Sequence, residues 1–328
     1  MRVESYTVGD RPLWRAADLK QITPSLEASI HPRDYPRPDH DRPRLVVACG
    51  MGVDSWAMLI EMANRGIRPD VIQWADTGSE RRHTYRAVTV LQRWLESVGF
   101  PPLVIVRRRC PKAGHRSLYE QAWNTEQLPS PAFHQNHSCS KSWKLDPQRA
   151  WQSRLAWLWT DAEPPRTAIG FDVEEMPNRR GAVTEAIGFE ATETGRRSLR
   201  YAVDNDQDFI QWYPLVDWDM DRQACLDIIH AAGLPSPGKS ACFMCPISKA
   251  CELRLMPDEE FGAATDLEDR FQAGPHNRGH YIGLASERTW SEKIQDETDD
   301  DPTLKPGQLP DPEIINWHAP VEPQLTLF

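Results

Sequence analysis

Apolar residues along this chain fall into short runs separated by segments of helical period. "RLVV" (44–47), "DVIQWA" (70–75) and "PLVIVR" (102–107) have strand length, and between them Ser55–Asn64 and Thr84–Ser97 repeat their apolar positions at helical spacing. Strands that alternate with helices imply a parallel sheet of right-handed crossovers, covered on both faces. Farther on, Pro147–Thr160 carries Trp151, Leu155 and Leu158 or Trp159 at helical spacing, with Pro147 suited to a first turn. "TAIGF" (167–171) reads as a fourth strand, "FIQWYPLVDW" (209–218) as a fifth, and Asp221–Ala232 as a helix closed by Gly233. Past Pro235 only short helical patterns remain. The expected organisation is an N-terminal arm (1–43), an α/β domain with a parallel twisted sheet and helices on both faces (44–235), a small cysteine-containing helical subdomain (236–289) and an acidic tail (290–328).

Charge modifies this picture mainly at the end. The formal net charge is -10, and residues 290–328 hold nine acids against two lysines, with "DETDDDP" and six prolines. A segment so poor in apolar surface is expected to be largely disordered or draped over the body. The overall balance argues against bulk, sequence-blind binding to nucleic acid. The charged N-terminus has no apolar leader and no stretch approaches a membrane span, which predicts a cytoplasmic protein with no membrane partner.

Seven cysteines in such a chain suggest metal rather than disulfides, since an odd count cannot pair fully and the cytosol keeps thiols reduced. Cys242 and Cys245 form C-x2-C, Cys251 follows, and Cys139 lies far upstream. Cys49, Cys110 and Cys225 sit in contexts that read as core or strand ends.

The first strand runs into "CGMGVDS" (49–55) and then a helix. In an open parallel sheet, ligands bind beyond the carboxyl ends of the strands, where a helix N-terminus offers free amides to an anion. Gly50 and Gly52 would let the backbone approach closely, and Asp54 beside Ser55 pairs a carboxylate able to hold Mg²⁺ with a hydroxyl. The spacing is neither GxGxxG nor a Walker P-loop.

These segments together resemble the adenine nucleotide alpha hydrolases, and within them the phosphoadenylylsulfate (PAPS) reductases and their relatives. "CGMGVDS" is similar to the pyrophosphate loop SGGxDS, with Cys49 in place of serine and Met51, expected to narrow the turn, between the glycines. "DVIQWADTGSERRHTYRAV" resembles the strand that ends in Asp-Thr-Gly, and "YPLVDW" followed by "GLPSPG" resembles the PL-x-DW segment. The similarity spans roughly residues 44–250. It implies a Rossmann-like fold and ATP, or a sulfonated adenosine nucleotide, whose phosphates lie on Cys49, Gly50, Met51, Gly52, Val53, Asp54 and Ser55. The adenine would lie near Trp74, Asp76, Thr77 and Gly78. Asp54 would carry Mg²⁺, and Arg179 and Arg180 of "NRR" match the region of phosphate- or sulfate-binding arginines.

The cysteines bear on which relatives are nearest. Adenylylsulfate-reducing relatives bind a 4Fe-4S cluster through CC-x2-RK-x2-P and a later C-x2-C; "CSKSWKLDP" keeps Cys139, Lys144 and Pro147, and "ACFMCP" supplies Cys242 and Cys245. The fourth iron would be open, capped by an exogenous ligand, or bound by Cys251 or Cys110; zinc on Cys139, Cys242, Cys245 and Cys251, with His137 or His276 as a substitute, is one alternative, and cysteines that bind nothing are the other. No cysteine follows Cys251, so the C-terminal nucleophile of the assimilatory reductases is missing. The resemblance is closest to the branch that includes DNA-phosphorothioation sulfur-transfer enzymes and accessory proteins of phages and type IV CRISPR loci. It implies ATP-dependent adenylation of an acceptor, a nucleic acid or nucleotide, with release of pyrophosphate and sulfur delivery from a cluster. Arg107–Arg109, Arg196, Arg197 and Arg200 would contact acceptor phosphates. A reductase using an external thiol, and a nucleotide-sensing accessory protein of a defence complex, are the alternatives.

Overall fold

The computed structural model describes residues 7–8, 11–12, 20–23, 26–37, 39–40, 44–108, 115–129, 138–155, 166–170, 210–275, 281–296, 304 and 306–315. Its centre is a seven-stranded sheet of order β3-β4-β7-β6-β5-β8-β9. The strands are β3 (Lys20–Thr23), β4 (Leu26–Ala28), β5 (Leu45–Ala48), β6 (Val71–Ala75), β7 (Leu103–Arg108), β8 (Arg166–Ile169) and β9 (Ile210–Trp212). A separate two-stranded ladder joins β1 (Thr7–Val8) to β2 (Arg11–Pro12). From β7 to β9 every neighbour is parallel, with Val46 opposite Val71 and Val47 opposite Ala168. The fold is α/β and Rossmann-like.

Both faces of the parallel strands are covered, which is why these strands read as continuous apolar runs. Leu45, Val47, Ile72, Trp74, Leu103 and Ile105 face one layer, which contains α1 (Val53–Asn64), α2 (Arg82–Ser97) and, farther along the chain, the helix Arg222–Ala231. Val46, Val71, Ala75, Val104 and Val106 face the other, against Trp151 and Leu155. Gln73 is buried on that second face, where its carbonyl accepts from Gln152 Nε2 at 2.6 Å. Gly66 and Gly99 follow α1 and α2 at φ 69° and 65°, the left-handed geometry that stops a helix.

A second apolar cluster joins α3 (Leu118–Thr125) and Trp143 to Phe243, Met244, Leu267, Phe271 and Trp290. The segment expected as a separate helical subdomain therefore shares its core with residues that precede it. The expected boundary at 289 also cuts packed structure: Thr289 and Glu292 form a capping box that opens the helix Trp290–Gln295, and Trp290 is fully buried. Part of the expected tail is packed as well, since Ile314 lies in the main core and Asp311 accepts from Ser236 N–H at 2.7 Å. Within the arm, β3 and β4 extend the sheet beyond β7 in antiparallel register.

Two elements differ from their expected lengths. The helix expected over Pro147–Thr160 is α4 (Asp146–Gln152), entered through the π-turn Lys141–Leu145, and it gives way to a turn at Ser153 and Arg154; residues 156–165 lie outside the described residues. The fifth strand stops at Trp212, because Pro214 opens the helical turn Pro214–Asp217. Among the described residues no helix is long and apolar enough to cross a membrane.

Candidate functional site

The strand order sets the location. β6 and β7 lie on one side of β5, and β8 and β9 lie on the other, so the sheet reverses its winding direction between β5 and β8. Ligands of open α/β sheets sit at such a point, beyond the carboxyl ends of the strands. Here that position is the turn 49–52.

The side chains of this turn point inward. Cys49, Met51 and Val53 are buried, and Cys49 Sγ lies 3.7 Å from Met51 Sδ. Burial pushes the Cys49 thiol up to about 11. Met51 has φ 66°, the left-handed geometry in which glycine is unstrained and other residues cost about 1–2 kcal/mol. Its side chain anchors in the core, so it does not narrow the turn as expected. The backbone of Gly50 is left exposed, and Gly52 precedes α1 with no side chain capping the helix. Ser55 Oγ donates back to Gly52 O at 2.9 Å, and Trp56 N–H bonds the same carbonyl.

Two residues the sequence reading did not single out frame this turn. Gly170, directly after β8, lies close against α1: a Cβ there would lie 3.0 Å from Asp54 C and Ser55 N. Arg222 opens α5 (Arg222–Ala231) and grips Asp54, with Nη1 2.7 Å from Oδ1 and Nη2 3.2 Å from Oδ2. The intended Mg²⁺ ligand thus already faces a cation.

The Asp-Thr-Gly turn after β6 is a buried hub. Asp76 accepts from Gly78 N–H (2.7 Å) and Tyr85 Oη (2.9 Å) and pairs with Arg107 Nη2. Burial pushes its carboxyl up, against the pull of Arg107. Trp74, expected beside the adenine, is 2% exposed and packs edge-on to Tyr85, so it is a core residue. Gly78 has φ 69°, and a Cβ on it would meet Ser117 Cβ at 2.7 Å. Arg107 is spent on Asp76, while Arg108 lies over the Trp143 ring at 5.4 Å; neither is the loose phosphate contact expected.

Residues 238–245 tie this turn to the glycine turn. Ser240 Oγ sits 3.2 Å from where a Gly52 Cβ would be. Arg81 N–H donates to Ala241 O and Phe243 N–H to Ser79 O, both at 2.9 Å, and Thr77 Oγ1 lies 3.2 Å from Cys242 Sγ. Glu80 is fully buried there; its Oε1 takes Thr77 Oγ1 and Lys144 Nζ, both at 3.1 Å, while Oε2 has no hydrogen-bond partner among the described residues. Burial favours neutral Lys144, but Glu80 and Cys242 outweigh it and hold the ammonium above its usual range.

Three of the four expected metal cysteines share this region. Cys242 lies in the second core with Cys139 and Cys245 against it, and burial raises both thiols of the C-x2-C pair, with Cys139 adding to Cys245 and Glu80 to Cys242. Among the described residues no group of three or more His, Cys, Asp or Glu side chains closes around a point that could hold a metal ion. Cys251 is buried in the short helix Ala250–Leu253. Cys110, His137, Arg109, Arg179, Arg180, Arg196, Arg197, Arg200 and His276 lie outside the described residues.

Beyond Arg222 and Gly170, the sequence reading missed Glu80, Ser240 and Lys239, which pairs with Glu252 at 2.8 Å. Only the short distance in sequence from Ser240 to Cys242 could have drawn attention to any of them. Comparison with family models, with curated proteins and with solved structures finds no match for this chain.

Proposed function

We propose that this chain binds an adenine nucleotide at the turn 49–55 and transfers its adenylyl group to an acceptor, with nucleic acid or a nucleotide as the acceptor class. The observation that carries the reading is the turn at the β5/β8 reversal. It offers glycine backbone and an uncapped α1 N-terminus at the place where such sheets bind ligands.

An acceptor oxygen attacks the α-phosphorus, the Pα–O bond to the β-phosphate breaks, and pyrophosphate leaves. Amides of residues 50–55 and the α1 dipole bear the charge that gathers on the leaving group, and Gly170 keeps β8 close against the turn. Asp54 is the residue that would hold Mg²⁺, in exchange for its ion pair with Arg222. The ion would supply charge neutralisation there.

The thiols support the second half of the reading, sulfur delivery to the adenylated acceptor. Cys139, Cys242 and Cys245 are soft donors suited to an iron–sulfur cluster or zinc, and Cys242 lies against the turn that follows β6. A cluster with an open iron would supply bound sulfur. A sulfur-donor protein or the other proteins of a defence complex would be its partners. A sensing role without turnover is the second reading, favoured by the Asp54–Arg222 pair, which already supplies a cation to the carboxylate.

The test is incubation with α-labelled ATP and nucleic acids, following AMP transfer and pyrophosphate release. Release that depends on acceptor supports the enzyme. Tight ATP binding without release under every acceptor supports the sensor, and no binding at all removes both.

A further inference from the structure

Folding leaves half of a buried carboxylate unanswered beside the cysteines. Glu80 follows the Asp-Thr-Gly turn of β6 and is fully buried. Its Oε1 takes two donors, Thr77 Oγ1 and Lys144 Nζ, while Oε2 meets no hydrogen-bond donor among the described residues. Other buried carboxylates of the molecule differ. Asp70 meets His40 and the Leu45 N–H through separate oxygens, and Asp76, Glu252 and Glu268 likewise have both oxygens bonded. A carboxylate oxygen withdrawn from water with no donor is costly and rare, and a bound cation is one of the few partners that accounts for it.

The same carboxyl stands among thiols. Glu80 and Cys242 face each other in an antiparallel bridge, with Cys242 Sγ 3.8 Å from Oε1. Cys245 N–H donates to Cys242 O at 3.1 Å, and Cys139 and Cys245 pack against the core cluster that contains Cys242. Electrostatic coupling runs from one group to the next, Glu80 and Cys245 acting on Cys242 and Cys139 on Cys245. Lys144, on the π-turn that follows Cys139, reaches Glu80 and is coupled to Cys242 and Cys245 as well. Ser140 stands where a second cysteine beside Cys139 would have supplied another thiolate.

We infer that Glu80 is the fourth protein ligand of a cluster held by Cys139, Cys242 and Cys245, binding through Oε2 while Lys144 stays on Oε1. This rests on the cluster reading above and deepens it, placing a displaceable oxygen at the iron which that reading left open. A cluster offers each donor an iron of its own, so the four need not meet at one point as they would around a lone ion. Lys144 offsets part of the negative charge that three thiolates and a carboxylate bring together. Carboxylate is a harder donor than thiolate, so the iron at Glu80 is the one where an incoming sulfur ligand would exchange.

The test is Mössbauer spectroscopy with iron analysis on the full chain, reconstituted without oxygen with ferrous iron and sulfide, for the wild type, Glu80→Cys and Glu80→Gln. The wild type should retain about four irons, three alike and one set apart by its oxygen ligand. In Glu80→Cys all should become alike, and in Glu80→Gln the distinct iron should be lost on desalting with a mild oxidant, leaving about three. Like irons throughout the wild type, or a distinct iron that Glu80→Cys leaves unchanged, overturns the assignment and leaves the cluster standing. Full iron retention with an unaltered spectrum in Glu80→Gln overturns it as well. Should Glu80→Gln fail to fold, the wild-type and Glu80→Cys spectra decide between the same outcomes. A wild type that retains no iron and sulfide, or only zinc, overturns the cluster reading and this assignment with it.

Discussion

Asp54→Asn and Arg222→Ala should have similar effects on folding and opposite effects on function. The two side chains are 14% and 22% exposed and meet through two N–O contacts of 2.7 and 3.2 Å. Charges about 4 Å apart at an effective dielectric near 20 attract by about 4 kcal/mol. Desolvation and the freezing of two side chains return most of that, leaving a coupling of about 1 kcal/mol. Without nucleotide, each variant should therefore lose about 1 kcal/mol, and the double variant little more than either. With MgATP they diverge. Arg222→Ala removes the cation that competes for the carboxylate, so binding should tighten by about fivefold to tenfold. Asp54→Asn removes a charge-stabilising group, so pyrophosphate release should slow by about 10²- to 10³-fold. Urea unfolding of the double-mutant cycle, calorimetry and pyrophosphate release measure the three quantities. Additive losses in unfolding would show that the pair is not coupled. Unchanged pyrophosphate release by Asp54→Asn would show that the turn does not carry the chemistry.

Gly170→Ala puts a methyl 3.0 Å from two backbone atoms of α1, which cannot swing aside, so thermal unfolding should show a loss of about 1–3 kcal/mol; no loss refutes the close approach of β8 to the turn. One buried and one half-buried group should give opposing pH slopes. Burial raises Glu268 from 4.5 to about 7, so the native state holds the extra proton and stability falls as pH rises across that window. Burial lowers His83 from 6.5 to about 4, with Arg81 adding to the effect, so the unfolded chain holds the extra proton and stability falls as pH drops through that window. Between about pH 5 and 6.5, Glu268→Gln should tilt the stability profile upward with pH and His83→Gln downward, each by about 1 kcal/mol per pH unit; parallel profiles for the three proteins contradict this. Protein purified without oxygen should absorb broadly in the visible and carry iron and sulfide, lost in Cys242→Ser and Cys245→Ser but kept in Cys225→Ser on α5; stoichiometric zinc without sulfide would reassign the site.

The sheet was legible because its strands are buried on both faces, and a run such as Leu45–Ala48 can then hardly be anything else. The turn at 49–55 was legible for a related reason: glycine spacing after such a strand has few uses. Long-range pairing was not. Arg222 is 168 residues from Asp54 and reads as an ordinary first-turn residue of a helix. Glu80 reads as one charge among the polar residues of "SERRH", yet folding places it beside Cys242. Arg107 belongs to a basic run that suggests phosphate contacts, and only the buried Asp76 across the sheet end shows where its charge goes. For the acidic tail, composition left disorder and draping over the body both open, because it averages over single residues. Net composition over 290–328 hides Trp290, Gln308, Pro310 and Ile314, each of which packs on the body.

The eight residues 238–245 bear most directly on whether nucleotide and sulfur chemistry could share one site. Ser240 stands against the glycine turn and Cys242 against Thr77, with a single residue between them in sequence. Two residues of chain span at most about 7 Å, and the five from Ser240 to Cys245 at most about 18 Å. The separation is therefore bounded by covalent geometry and does not depend on how two domains happen to dock. Residues 306–311 hold the stretch at Gly238, and the backbone bonds from Arg81 and Ser79 hold it at Ala241 and Phe243. A phosphate on the glycine turn and a sulfur held at Cys242 would thus be neighbours without any closing motion. An acceptor activated at the first could meet the second while still bound, which is the arrangement that adenylation followed by sulfur transfer requires.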